Sequence, residues 1–88
     1  MRIVDGMVVT EVGDSWVAVA TGAAAERLHG VVRLNKTAKV VWDALAEGLG
    51  EREAARRLCE RFDVDEEHAA ASVSRLVAEL ADAGLLVE

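Results

Sequence analysis

Proline is absent from this chain, and cysteine occurs once, at Cys59. A lone cysteine excludes a disulfide framework and suits a reducing compartment, so a cytoplasmic location is expected. Aromatics are scarce: Trp16, Trp42 and Phe62, with no tyrosine. A core made mainly of alanine, valine and leucine is thin and favours helices. No apolar run reaches the roughly 18–20 residues that span a bilayer. No apolar stretch with a small-residue cleavage site opens the sequence, so neither a membrane partner nor secretion is expected. Positive charge is also short: 10 Lys and Arg against 16 Asp and Glu leave a net charge of −6. Phosphate binding depends on clustered Lys and Arg, so free nucleic acid is a poor partner for such a surface. A basic peptide or basic protein face fits better.

What is present begins with strand patterns. The chain, 88 residues long, is expected to fold as a single domain spanning residues 1–88, too short for two cores. Met7 to Val12 is rich in β-branched residues. Gly13-Asp14 is a turn pair, and Trp16 to Ala20 returns as a second strand of a hairpin. Thr21 to Arg27 reads as a connection with one helical turn. Leu28 to Leu34 is a third strand, with Gly30 marking a site for a bulge. Helical spacing then takes over. The first helix runs from about Lys36 to Glu47 and is capped by Asn35. The second runs from about Glu51 to Phe62. The third runs from about Glu66 to Ala83, capped by Asp65 and closed by Gly84. Leu85-Leu86-Val87 packs back as a tail. The fold class expected is α+β: a winged helix-turn-helix-like domain, with a three-stranded antiparallel sheet followed by three helices.

Catalytic machinery is not apparent. His29, His68 and Cys59 do not reach the ligand number and spacing of a zinc site. Asp63, Asp65, Glu66 and Glu67 lack the spacing of a calcium loop and suit helix capping instead. No catalytic residue, metal ligand or cofactor is expected. Cys59 reads as a buried structural thiol and His68 as a solvated residue. His29 has two readings, a contact residue or a strand filler. Trp42 reads as core. Trp16 reads as core or as the wall of a groove. On the second helix, Arg52, Arg56 and Arg57 alternate with Glu51, Glu53 and Glu60, which predicts exposed i,i+3 and i,i+4 ion pairs rather than a basic face.

The most telling stretch is Leu34-Asn35-Lys36-Thr37-Ala38-Lys39-Val40-Val41-Trp42-Asp43-Ala44-Leu45. It joins a strand to a capped helix with almost no loop. After it come Gly48, then Phe62-Asp63-Val64-Asp65, then Val73 to Leu80, then Gly84-Leu85-Leu86. This pattern resembles the coenzyme PQQ synthesis protein D family, whose fold is also called the RiPP recognition element. The resemblance is specific from Val32 to Val87 and looser before it. Two positions depart from the family pattern. Ser72 stands where an acidic residue is usual, and Gly50 stands where Thr or Ser starts the second helix.

The resemblance implies a non-catalytic peptide-binding adaptor. Family members capture the leader segment of a ribosomally made precursor peptide. They present it to a modifying enzyme, often a radical SAM protein, or to a leader peptidase. The leader adds as an extra strand to the third strand and leans on the third helix. Strand addition draws affinity from backbone hydrogen bonds and selectivity from side-chain pockets. The expected peptide-binding residues are Leu28, His29, Gly30, Val31, Val32 and Arg33 on the strand. Ser72, Arg75, Leu76 and Glu79 are expected on the third helix, with Ala83 at its end. Ala70, Ser74 and Ala81 form the opposite flank of that helix and are an alternative wall. The rival function is a winged-helix DNA-binding transcription regulator. Against it, the third helix offers Arg75 among Glu66, Glu67, Glu79 and Asp82. A third reading is a structural partner that dimerises through the strand edge. The isolated chain is expected to be a monomer or a weak homodimer.

Overall fold

The Val12-Gly13-Asp14-Ser15 turn sets the geometry of the sheet. A computed structural model describes residues 1–27 and 31–87. In it, β2 (Met7–Val12) and β3 (Ser15–Ala20) pair antiparallel, with Val12 opposite Ser15. Gly13 sits at φ +63 at the first position of this two-residue loop, a conformation that suits glycine and matches the twist of the strands. β4 (Val31–Leu34) pairs with the other side of β3, from Val19 opposite Val31 to Trp16 opposite Leu34. The sheet order is β2-β3-β4, so β4 lies at a margin. Leu28, His29 and Gly30, the first part of the expected third strand, lie outside the described residues.

A short helix, α1 (Ala23–Arg27), connects β3 to β4, where one helical turn is expected from the run of alanines. After the sheet come the three expected helices: α2 (Lys36–Ala46), α3 (Glu51–Arg61) and α4 (Glu66–Asp82). The fold is α+β. The terminal tail goes further than the sequence suggests. β5 (Leu86–Val87) pairs antiparallel with β1 (Arg2–Ile3) in a separate two-stranded sheet. Val4 extends it by donating its N–H to the Leu85 carbonyl at 2.9 Å. Ile3 and Leu85 are thereby drawn into the core.

Local chemistry explains where the helices stop and start. Asn35 accepts the Ala38 N–H at 2.8 Å and thereby caps α2. Asp65 does the same for α4, accepting the His68 N–H at 2.8 Å. That backbone bond, helped by the His68 ring beside the same oxygen, holds the Asp65 carboxyl below its ordinary pKa. Gly50 caps α3 with no side-chain bond. α2 and α4 end in the same way. Gly48 donates to Leu45 and Leu49 to Ala44, and likewise Gly84 donates to Ala81 and Leu85 to Leu80. These paired bonds satisfy carbonyls that a helix end otherwise leaves open.

The three long helices bury one stripe each. Leu34, Val41, Leu45, Leu58, Val73 and Leu80 are the largest fully enclosed side chains. Each Val or Leu so buried stabilises the fold by about 1.5–3 kcal/mol. Trp42 belongs to this core at 3% exposure. Two expectations are corrected. Cys59 is half-buried rather than enclosed, because it borders a cleft between α3 and α4. Arg57 pairs with Glu47 across two helices rather than within its own, in a two-pronged contact of 2.6 and 2.8 Å. The Arg57 guanidinium holds the Glu47 carboxyl below its usual range. Of the pairs expected along the second helix, Arg56–Glu53 is present at 3.7 Å.

Candidate functional site

The phase of the hydrogen-bond ladder decides which groups of β4 face outward. A two-residue hairpin is closed by a hydrogen-bonded pair, here Val12 and Ser15. Bonded and non-bonded pairs alternate along an antiparallel ladder. Ser15, Val17 and Val19 therefore direct their N–H and C=O groups to β2. Trp16 and Ala18 direct theirs to β4. Their partners are Leu34 and Val32. Val31 and Arg33 are left with N–H and C=O groups turned to the open side. Within the described residues β4 pairs with β3 alone, so these four backbone groups form a free seam.

A groove of about 390 Å³ borders this strand. Its apolar lining comes from Leu34, Ala38, Val41 and Leu76, and its polar lining includes Arg33, Ser72, Arg75 and Glu79. The weld between β4 and α2 shapes one end. Thr37 donates its hydroxyl to Asn35 Oδ1 at 2.9 Å, the oxygen that also caps the helix. Asn35 and Thr37 both line the groove, as does Ser15 at the start of β3. None of these three was singled out as a site residue from the sequence. The signal is present in the Asn-x-Thr-Ala spacing, which on sequence alone speaks only for a helix cap and for the family resemblance.

On α4, Ser72, Arg75, Leu76 and Glu79 form one stripe at i, i+3, i+4 and i+7, the spacing that shares a helix face. Arg33 of β4 borders the same groove, its side chain alternating with buried Leu34 and so directed to the other face of the sheet. The opposite flank looks elsewhere: Ala70 and Ser74 line the cleft against α3, with Arg52, Ala55 and Arg56. Leu76 is both groove lining and core, at 8% exposure. Ala83 is the C-cap of α4. Leu28, His29 and Gly30 lie outside the described residues, so their relation to the groove is not described. Trp16 is half-buried on β3 and does not line the groove; the Lys39 ammonium sits 5.8 Å from its ring centroid.

The charge of the groove differs from that of the chain. The described ion pairs engage Arg2, Lys39, Arg56, Arg57 and His68. Arg33, Arg75 and Glu79 have no ion-pair partner among the described residues. Arg75 and Glu79 thus leave the helical wall of the groove near neutral, on a protein of net charge −6. Among the described residues there is no cluster of three metal-ligating side chains. None of their helices is long and apolar enough to cross a membrane.

The family model for coenzyme PQQ synthesis protein D (PqqD) matches residues 15–86. The chain belongs to the PqqD family. That match takes in β3, β4 and all three long helices, hence both walls of the groove. Among solved structures, the fold is similar to TbiB1 in complex with the TbiA(beta) leader peptide, with a TM-score of 0.76. Identity there is 22%, over 98% of this chain and 94% of that one. It is similar also to a lasso peptide synthetase B1 complexed with its leader peptide, with a TM-score of 0.75 and 20% identity, over 99% and 96% of the two chains. At these identities the likeness is one of fold. No curated protein matches the chain.

Proposed function

We propose that this PqqD-family chain is a non-catalytic adaptor that captures the leader segment of a ribosomally made precursor peptide by strand addition to β4. It presents that peptide to a modifying enzyme, such as a radical SAM protein or a leader peptidase, in the cytoplasm. One observation carries the reading: Val31 and Arg33 turn unpaired backbone groups outward beside a groove lined by Leu34, Ala38, Val41 and Leu76. Two solved structures with a similar fold are complexes with leader peptides, which supports the same reading. The other sheet margin, β2, contributes no residue to the groove.

The magnitudes are adequate. Four backbone hydrogen bonds contribute about 0.5–1.5 kcal/mol each. One apolar anchor buried in the groove adds about 1.5–3 kcal/mol. Ordering of a disordered segment opposes this. Before that cost these terms come to about 3.5–9 kcal/mol, so micromolar binding, about −8 kcal/mol, lies near the upper limit that these contacts support. Between encounters the strand edge is protected from self-pairing by its short length and by the charge of Arg33.

The test is a titration of isotope-labelled protein with the N-terminal segment of a short precursor encoded beside the gene, and in parallel with duplex DNA. Strand addition predicts shifts at Val31 to Leu34 and along the Ser72–Glu79 stripe, with no response to DNA. Shifts confined to β2, or DNA binding that falls steeply with salt, would overturn the proposal.

A further inference from the structure

Asn35 is the single asparagine of a chain without glutamine, so its side chain is the only carboxamide in the protein. The amide is held by one end. Its Oδ1 accepts the Ala38 N–H at 2.8 Å and the Thr37 hydroxyl at 2.9 Å. Two donors on one oxygen fix the plane of the group. Its Nδ2 is left with two N–H bonds that meet no partner among the described residues. Capping uses the oxygen alone, so the nitrogen is free for a second task on a residue that lines the groove. We infer that Asn35 is a positioning residue for the bound peptide: its Nδ2 donates to a main-chain carbonyl at the end of the strand added to β4. This rests on the strand-addition reading and names the residue that sets where the added strand stops.

The ladder phase supports the assignment. Trp16 opposes Leu34, so Asn35 follows in register and turns its backbone N–H to the same open side as Val31 and Arg33. Its φ of −81 and ψ of −176 keep the chain extended to this point. Its carbonyl does not join the seam, because it accepts the Lys39 N–H at 2.9 Å in the first turn of α2. The seam therefore ends asymmetrically. Beyond Arg33 it offers donors, the Asn35 N–H and Nδ2, and no backbone acceptor. A peptide carbonyl fits that end, and a further complete ladder pair does not. The consequence is register. The outward groups of Val31 and Arg33 repeat every two residues, so a strand that slides by two meets the same pattern, and its register is weakly specified by the backbone alone. A side-chain donor at one end breaks the repeat. The cap already holds that side chain, so little freedom is lost when the peptide binds.

The experiment uses the isotope-labelled full chain and the precursor segment of the titration above. The lone carboxamide gives the one carboxamide NH2 pair in the spectrum. On saturation that pair should shift and its exchange with water should slow, together with the backbone amides of Val31, Arg33 and Asn35. Asn35→Asp then removes the donor and keeps the capping oxygen. A carboxylate is favourable at a helix N-terminus, so the thermal midpoint of this variant should equal or exceed the parent's. Its affinity by fluorescence anisotropy should fall about two- to twelvefold, the span of one hydrogen bond. Lys36→Gln makes the same change of one unit in net charge at the adjacent residue, outside the groove lining, and should bind as the parent does. Weaker binding without weaker folding is not what a capping role alone produces. An unmoved carboxamide pair, or parent-like affinity in Asn35→Asp, while Val31 and Arg33 respond, would overturn the inference and leave strand addition standing. An equal loss of affinity in Lys36→Gln would also overturn it, by assigning the effect to charge. A segment that moves none of these groups would overturn both readings.

Discussion

Replacing Val31 by proline separates the open side of β4 from its paired side. The Val31 N–H faces outward, so its removal takes nothing from the ladder with β3. Val31 is the first residue of the strand, a position that accepts proline, and its side chain is 60% exposed. The fold should therefore persist, with a thermal midpoint near that of the parent. Binding should not persist unchanged. A peptide carbonyl that met the Val31 N–H loses its partner inside the new seam. Leaving one such group unsatisfied costs about 1–3 kcal/mol, which is about 5- to 150-fold in affinity. Val31→Thr keeps the N–H and the branched shape, and should bind as the parent does. Val32→Pro removes an N–H directed to Ala18, and should lower the thermal midpoint itself. The assay is anisotropy with the labelled precursor segment used in the titration, with circular dichroism melts on all three variants. Parent-like affinity in Val31→Pro would refute the seam. A collapse of its melt equal to that of Val32→Pro would refute the ladder phase from which the seam was deduced.

Other outcomes follow from packing and capping. Leu58→Ala opens a cavity between helices and should cost about 2–5 kcal/mol by urea denaturation; a loss well below 1 kcal/mol would contradict its place in the core. Gly50→Ser gives α3 the side-chain acceptor it lacks, in open space and at an ordinary φ of −85. It should gain a few tenths of a kcal/mol from the cap and about 0.4–1 kcal/mol from a less flexible unfolded chain, seen as a higher thermal midpoint. The Asp65 and Glu47 carboxyls have folded pKa values below their unfolded ones. Their contribution is thus complete above the ordinary carboxylate range and is lost as pH falls through the depressed values. Asp65→Asn keeps a capping oxygen without the charge, and should flatten the acid limb of a stability-versus-pH curve; an unchanged limb would show that the cap carries no such linkage.

The sequence disclosed the helices better than the sheets. Asn35 and Asp65 were legible as caps because a side-chain acceptor before an apolar stripe has few other uses. Trp42 and Leu80 were legible as core from spacing alone. The pairing of Arg2–Ile3 with Leu86–Val87 was not, since two-residue strands have no period and their partners lie at opposite ends of the chain. Arg57 misled for a related reason: i,i+4 arithmetic cannot see Glu47 arriving from another helix. The groove was half legible. Its α4 stripe follows from helical angle, but choosing Ser72–Glu79 over Ala70 and Ser74 required knowing which side α3 covers. Ser15 and Thr37 became groove residues once β3 and the first turn of α2 met at the end of β4.

Amide hydrogen exchange resolved by residue is the most direct measurement of an open margin. In the free protein, the Val32 and Leu34 amides should exchange slowly and those of Val31 and Arg33 quickly. Saturation with a bound peptide should slow Val31 and Arg33 to the level of their neighbours. Slow exchange at Val31 and Arg33 before any peptide is added, or fast exchange that survives saturation, would contradict strand addition at β4.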